Sequence, residues 1–298
     1  MQTVITMDHV DKEYKGTPAV KDLSLTIQEG TVTALLGPNG AGKTTTVSML
    51  LGLQKPTRGQ IRILGGAPDQ PQARQSVGAM LQDISVIDRL TVRETIELFR
   101  SYYAKPLALS SLLAMAGLEK EQNKFATSLS GGQKRRLDFA LAMAGDPKIL
   151  YLDEPTVGMD VGSRQLFWES VRAMAGKGRT IILTTHYLDE ADSIADRIVV
   201  INQGKLIADG TPAQIKSAQG RRVITFTAGE RLKPDALSGI PGILETVWSG
   251  RKVKLSSPDT DQLIRTLLSR DLDIRDIEIS AGGLEDAFQT LIQGDASL

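Results

Sequence analysis

Apolar and polar residues alternate through residues 1–30, in "TVITMDHV" from Thr3 and "AVKDLSLTI" from Ala19. A period of two predicts antiparallel strands with one solvated face. The pattern changes at Thr31, where "TVTALLG" is continuously apolar and strand-sized, as in a strand buried on both faces. Further buried runs stand at "KILYLD" (148–153), "RTIILTT" (179–185) and "DRIVVIN" (196–202), separated by helical patterns. Strands alternating with helices predict a mostly parallel, covered sheet. Between about Ser85 and Ala126 the helical patterns dominate ("TVRETIELFRSYYA", "LSSLLAMAGL"), so a helical insertion is expected there, placed overall at about 85–145.

The pattern shifts again near "GTPAQIKSAQG", residues 210–220. After it come a strand ("RRVITFTA"), a short helix ("KPDALSG") and a strand-turn-strand ("GILETVWSGRKVKLSS", turning at Ser249-Gly250). A helix ("DTDQLIRTLLSRD"), a strand ("IRDIEIS") and a last helix ("LEDAFQTLIQ") complete the order βαββαβ, the ferredoxin-like pattern. The expected division is therefore a large domain over residues 1–218 and a small α+β domain over 219–298.

Composition adds mainly exclusions. Lys plus Arg balance Asp plus Glu at 35 each, which gives no reason to expect a nucleic-acid partner. With no cysteine, disulfide scaffolds and cysteine-based zinc sites are out. The start, "MQTVITMDHVDKEYKG", carries acids where an export signal needs an apolar core, so no such signal is expected. No run approaches the ~20 apolar residues that cross a bilayer.

One segment carries unmistakable chemistry. "GPNGAGKT", residues 37–44, fits G-x-x-x-x-G-K-[ST], follows the buried strand and opens a helix. Its glycines let successive N–H groups converge on a phosphate, and the helix start adds its positive end. Lys43 is placed for the β- and γ-phosphates, and the Thr44 hydroxyl for Mg²⁺. The strand "ILYLDEP" (149–155) ends in two acids. Asp153 takes the Walker-B position of a magnesium ligand. Glu154, the next residue, points elsewhere and suits orientation of a water for attack on the γ-phosphate.

Further stretches, in this order with the phosphate loop, resemble ATP-binding-cassette (ABC) ATPases over residues 1 to about 215. "LSGGQ" (129–133) resembles the family signature, "LTTHYLDEAD" the switch segment with His186, and "AMLQD" the Q-loop with Gln82. Tyr14 matches the aromatic that stacks on adenine, and "VGMD" the D-loop ending in Asp160. Taken alone, Tyr14 is a surface tyrosine and Ser130 a helix N-cap. The resemblance implies an α/β fold: a P-loop NTPase ABC cassette with a mixed sheet core, an antiparallel β subdomain and a helical subdomain. The small ferredoxin-like α+β domain follows it.

The resemblance also implies the ligands, ATP and Mg²⁺, and their contacts. Gly37, Pro38, Asn39, Gly40, Ala41, Gly42, Lys43, Thr44 and Thr45 would surround the phosphates. Thr44, Gln82 and Asp153 would hold the metal, and Glu154, His186, Lys43 and Gln82 would serve hydrolysis. In this family the signature faces the nucleotide of a partner subunit. Ser130, Gly131, Gly132 and Gln133, with Asp160, would therefore complete the site of a second ABC subunit, an identical copy or a close paralogue. Lys134, Arg135 and Arg136 are expected on the helix surface, off the nucleotide.

A single cassette with one compact insertion resembles the ATPase subunit of a transporter. That implies a separate transmembrane permease and a place on the cytoplasmic face of the cell membrane. "GGQKRRL", "EPTVGMD" and the closing "GGLEDAFQTLI" resemble the ABC-2-type, daunorubicin-resistance-like exporters. Gln133, Met159 and Leu81 depart from that group's usual methionine, leucine and proline, and none of them removes a group needed for hydrolysis. The alternative is a soluble ABC ATPase acting on the ribosome or DNA.

Overall fold

In the computed structural model, which describes residues 2–82, 87–218, 222–270 and 272–295, the alternating N-terminal segment folds as two long antiparallel strands. These are β1 (Thr3–Tyr14) and β2 (Thr17–Gln28). A continuously buried strand, β3 (Val32–Leu36), runs into a glycine-rich loop and helix α1 (Lys43–Leu50). Strand β4 (Arg58–Ile63) returns to β1, making a three-stranded antiparallel sheet in the order β2-β1-β4. A short helix α2 (Pro71–Gln75) then leads into β5 (Val77–Met80).

The helical segment follows: α3 (Val92–Arg100), α4 (Leu109–Ala116) and α5 (Gly131–Met143), packed on one another. Thr91 and Glu94 form a capping box at the start of α3, and Gly117, at φ +58°, ends α4. The expected start of this segment, near Ser85, lies outside the described residues. Buried strands then alternate with helices, as the apolar runs predict: β6 (Ile149–Asp153), α6 (Val161–Ala175), β7 (Thr180–Thr184), α7 (Leu188–Ile194) and β8 (Arg197–Asn202). A two-residue turn, Gln203-Gly204, joins β8 to β9 (Lys205–Gly210). Both turn residues have positive φ, as a tight hairpin requires.

The second sheet has the order β5-β6-β7-β3-β8-β9, with β5, β6, β7, β3 and β8 parallel throughout. Its core lies against the antiparallel sheet. Ile5, Met7, Leu23 and Ile27 meet Leu35, Tyr151, Ile182 and Val199, with Val47 and Leu50 of α1 in the same cluster. Each such side chain, fully buried, contributes about 1.5–3 kcal/mol, enough to fix the phosphate-loop helix between two sheets.

The chain divides into two compact units, Met1–Asp209 and Gly210–Leu298. The second begins with α8 (Pro212–Ala218) and continues with β10 (Arg222–Ala228), β11 (Glu245–Ser249), β12 (Lys252–Ser257), α9 (Thr260–Ser269), β13 (Ile274–Ala281) and α10 (Leu284–Asp295). The expected domain boundary, after residue 218, adjoins residues 219–221, which lie outside the described residues. All strand pairs here are antiparallel, in the order β11-β12-β10-β13, the ferredoxin-like arrangement. The short helix expected at "KPDALSG" is only a 3₁₀ turn, Pro234–Leu237. Pro234 opens it, and Gly239 at φ +75° followed by Pro241 prevents its extension.

Helix α5 lies unusually close to the sheet. A Cβ on Gly78 of β5 would stand 2.1 Å from the Ala142 carbonyl oxygen. Both partners are main chain, so neither yields easily. Gly78→Ala should therefore lower the stability of the first unit by about 1–3 kcal/mol in urea denaturation. An unchanged midpoint would show that α5 can lift away from β5.

Candidate active site

Parallel strands end on one edge of a sheet, so the loops after β3, β5, β6 and β7 gather there. After β3 the chain has no room for a side chain: a Cβ on Gly37 would lie 2.2 Å from the Ile201 carbonyl oxygen. The loop closes on itself as Ala41 N–H donates to the Pro38 carbonyl at 3.1 Å, with Gly40 at φ +78° and Gly42 at φ +103°. Asn39 and Gly40 stand exposed at its tip. Gly42 is the N-cap of α1 and no side chain caps that helix. The first-turn N–H groups, which have no intrahelical partner, are thus left for an anion. Thr44 is exposed and Thr45 half-buried in that turn. Lys43 Nζ reaches back to the carbonyls of Gly37 at 2.7 Å and Pro38 at 3.0 Å. Burial lowers its pKa, while Glu154 and Asp153 pull it back up, which brings the ends of β6 within electrostatic reach of the loop.

Asp153 and Thr184 pair in register at the ends of β6 and β7, and the Thr184 hydroxyl donates to Asp153 Oδ1. Glu154, one residue on, leaves the strand in the left-handed region at φ +48°. That turn carries its side chain away from Asp153, to a place where it is only 12% exposed. Its N–H donates to the Thr184 carbonyl at 3.1 Å. His186 Nε2 lies 2.5 Å from Glu154 Oε1, and Gln82 Nε2 donates to Glu154 Oε2 at 3.4 Å. Gln82, Glu154 and His186, distant in sequence, thus come together at one carboxylate.

A fourth group corrects the sequence reading. Arg135 is only 8% exposed and does not lie on the helix surface. Its Nη1 donates to the carbonyls of Leu81 (2.9 Å) and Gln82 (3.2 Å), and its Nη2 to those of Glu154 (2.8 Å) and Asp153 (3.4 Å). Asp138, one turn along α5 and also buried, stands 3.9 Å away. The helix is buried on every side from Leu137 to Met143, and Arg135 goes inward with it, while Lys134 and Arg136 are half-buried.

A family model described as "ABC transporter" matches residues 20–157. The "Nod factor export ATP-binding protein I" of Rhizobium johnstonii is 38% identical over 297 residues, covering 96% of this chain and 94% of its own. "Daunorubicin resistance ATP-binding protein DrrA3" of Streptomyces coeruleorubidus is 35% identical over 310 residues, covering 98% and 97%. The chain belongs to the ABC transporter ATP-binding family. Among solved structures, the dimeric ATP-binding cassette MJ0796 in a post-hydrolysis state, bound to ADP and Pi, matches with a TM-score of 0.64 at 27% identity. That match covers 70% of this chain and 98% of the other. The protein is an ATP-hydrolysing subunit of an ABC transporter.

The remaining candidate residues of this ABC ATPase lie apart from the Glu154 cluster. Tyr14 is 42% exposed, its hydroxyl donating to Gln54 Oε1 and its ring facing Lys12 Nζ at 5.2 Å. Ser130 and Gln133 form a capping box on α5: Gln133 N–H donates to Ser130 Oγ at 3.3 Å and Ser130 N–H to Gln133 Oε1 at 3.0 Å. Ser130 itself is exposed. A Cβ on Gly131 would meet nothing within 4 Å, and one on Gly132 only the Gly158 carbonyl oxygen at 3.9 Å. Asp160 caps α6, accepting from Ser163 N–H at 2.9 Å and its hydroxyl at 2.7 Å.

The donor set suits Mg²⁺. Thr44, Asp153 and Gln82 offer oxygen atoms, and no group of three or more His, Cys, Asp or Glu that could hold a metal occurs among the described residues. An ion held by these residues would complete its shell from water and phosphate oxygens, the habit of Mg²⁺.

Beyond Arg135, sequence reasoning missed Thr184 and Glu190. Buried Glu190 accepts from the hydroxyls of Thr156 (2.9 Å) and Thr185 (3.0 Å), tying the turn after β6 to the residue before His186. For Arg135 the available signal was Asp138, an acid three residues on inside the apolar run "LDFALAMA".

Burial pushes the Asp138 carboxyl up to about 7 against an ordinary 3.8, with the Arg135 guanidinium opposing the shift. Between these values the folded chain holds a proton that the unfolded chain has lost, so this group's contribution falls as pH rises from about 4 to about 7. The stability of Asp138→Asn relative to wild type should therefore grow between pH 5 and pH 7, by up to about 1.4 kcal/mol per pH unit, and level off above. Urea denaturation of both proteins across that range checks it; a constant difference would place the proton elsewhere.

Proposed function

We propose that this chain energises a membrane exporter from the cytoplasmic face of the cell membrane, coupled to a separate transmembrane permease. No described helix is long and apolar enough to cross a membrane, so any path for cargo belongs to that permease. The names of the relatives support export. The observation that carries the catalytic reading is the Glu154 carboxylate, held by His186 and Gln82 beside the phosphate loop.

The N–H groups of Gly37–Gly42 and of the first turn of α1 would hold the phosphates of ATP, and Tyr14 would stack on its adenine. Lys43 moves from the Gly37 and Pro38 carbonyls to the β- and γ-phosphates. Thr44, Asp153 and Gln82 would hold Mg²⁺, which when bound neutralises charge on the β- and γ-phosphate oxygens. Glu154 orients and polarises the attacking water. His186 has a half-exposed ring, free to turn from Glu154 toward the γ-phosphate. Two subunits, identical or paralogous, close head to tail, each lending Ser130, Gly131, Gly132 and Gln133 to the other's γ-phosphate, with Asp160 at the shared face. The second unit serves as an accessory domain that steadies this pair or takes a regulator.

Glu154→Gln should lower turnover at least about 100-fold while ATP still binds and a closed dimer accumulates. Wild-type turnover in that variant would sink the role given to Glu154. The same variant, purified with ATP from its native membranes in mild detergent, should bring down a multi-span membrane protein in near-stoichiometric amount. Ribosomes or DNA in its place would sink the transport reading.

A further inference from the structure

The Arg135 contacts fall into two pairs, one on each side of a gap that no secondary structure bridges. On one side are the carbonyls of Leu81 and Gln82, just past the end of β5; on the other are those of Asp153 and Glu154, at the end of β6. Strands β5 and β6 pair only as far as Met80 and Leu152, so the ladder stops where the chemistry begins. Beyond that point Arg135 ties the two main chains together, beside the side-chain contact of Gln82 with Glu154. A guanidinium is planar and always charged, so it holds two acceptor pairs at a fixed separation, which a lysine ammonium cannot do. Arg135 also sits on the turn of α5 that follows the Ser130–Gln133 capping box, and the helix is pinned to β5 by the close approach at Gly78.

We propose that Arg135 is a positioning residue that ties the main chains carrying Gln82 and Glu154 to each other and to the signature helix. This rests on the reading of Glu154 and Gln82 as active-site groups. Arg135 touches no substrate; it acts through the peptide groups of the residues that do.

The test compares wild type with Arg135→Gln and Arg135→Met. A glutamine amide reaches one pair of carbonyls and not both; methionine keeps the packing of the stem and none of the donors. Three quantities are read: the Kd for ATP, kcat, and hydrogen–deuterium exchange in the peptides containing Leu81-Gln82 and Asp153-Glu154. Both variants should bind ATP within about twofold of wild type, lose about 10- to 100-fold in kcat, and exchange faster in both peptides. A kcat within twofold of wild type, or exchange unchanged in either peptide, overturns the proposal. So does a parallel loss of affinity, kcat and thermal midpoint, which marks a merely structural residue. If Arg135→Gln does not fold, Arg135→Met is judged by the same criteria. Should the wild-type chain hydrolyse no ATP, the catalytic reading of Glu154 is what fails. The exchange measurement on the nucleotide-free chain then decides the clamp by itself.

Discussion

The constraint on which this molecule depends is the direction of five strands. Because β5, β6, β7, β3 and β8 run parallel, their carboxyl ends share one edge. The register of the ladder sets which strand ends face each other there. Asp153 stands opposite Thr184 because Ile149 stands opposite Thr180 at the other end. A slip of one residue would turn Asp153 into the sheet and bring Leu152 out. The close packing of the side chains on both faces of these buried strands resists that slip, so the core also helps to place Asp153.

At the edge itself the ladder gives out and other devices take over. Glu154 adopts a left-handed conformation that costs an ordinary residue about 1–3 kcal/mol. It is held there from both ends of its peptide unit, the N–H by the Thr184 carbonyl and the C=O by Arg135. The side chain is then fixed by His186 and Gln82. The acid is thus determined by four separate elements, and none of its orientation is left to solvent.

Much of this was legible in the sequence, and the reason is periodicity. Continuous apolar runs mark strands covered on both faces, and β3, β6, β7 and β8 fall where those runs stand. The phosphate loop was legible because a glycine is required wherever a carbonyl crowds the chain, as Ile201 crowds Gly37. Arg135 was read as solvated because it is a cation between two others on a helix, and the one hint against that, Asp138 within an apolar run, does not name its partners. Only its four carbonyl partners, contributed by loops distant in sequence, show that it is enclosed. The helix at "KPDALSG" is shortened to a 3₁₀ turn for the opposite reason: local composition permits a helix, but Gly239 at positive φ and Pro241 beyond it stop the turn that Pro234 opens.

The capping box at Ser130 has a consequence for the life of a subunit on its own. A helix start with all its first N–H groups bare would invite any stray phosphate or carboxylate. Here Ser130 and Gln133 answer each other, so fewer of those groups stand open to such an anion. A newly made chain therefore shows a less sticky face at this end of α5.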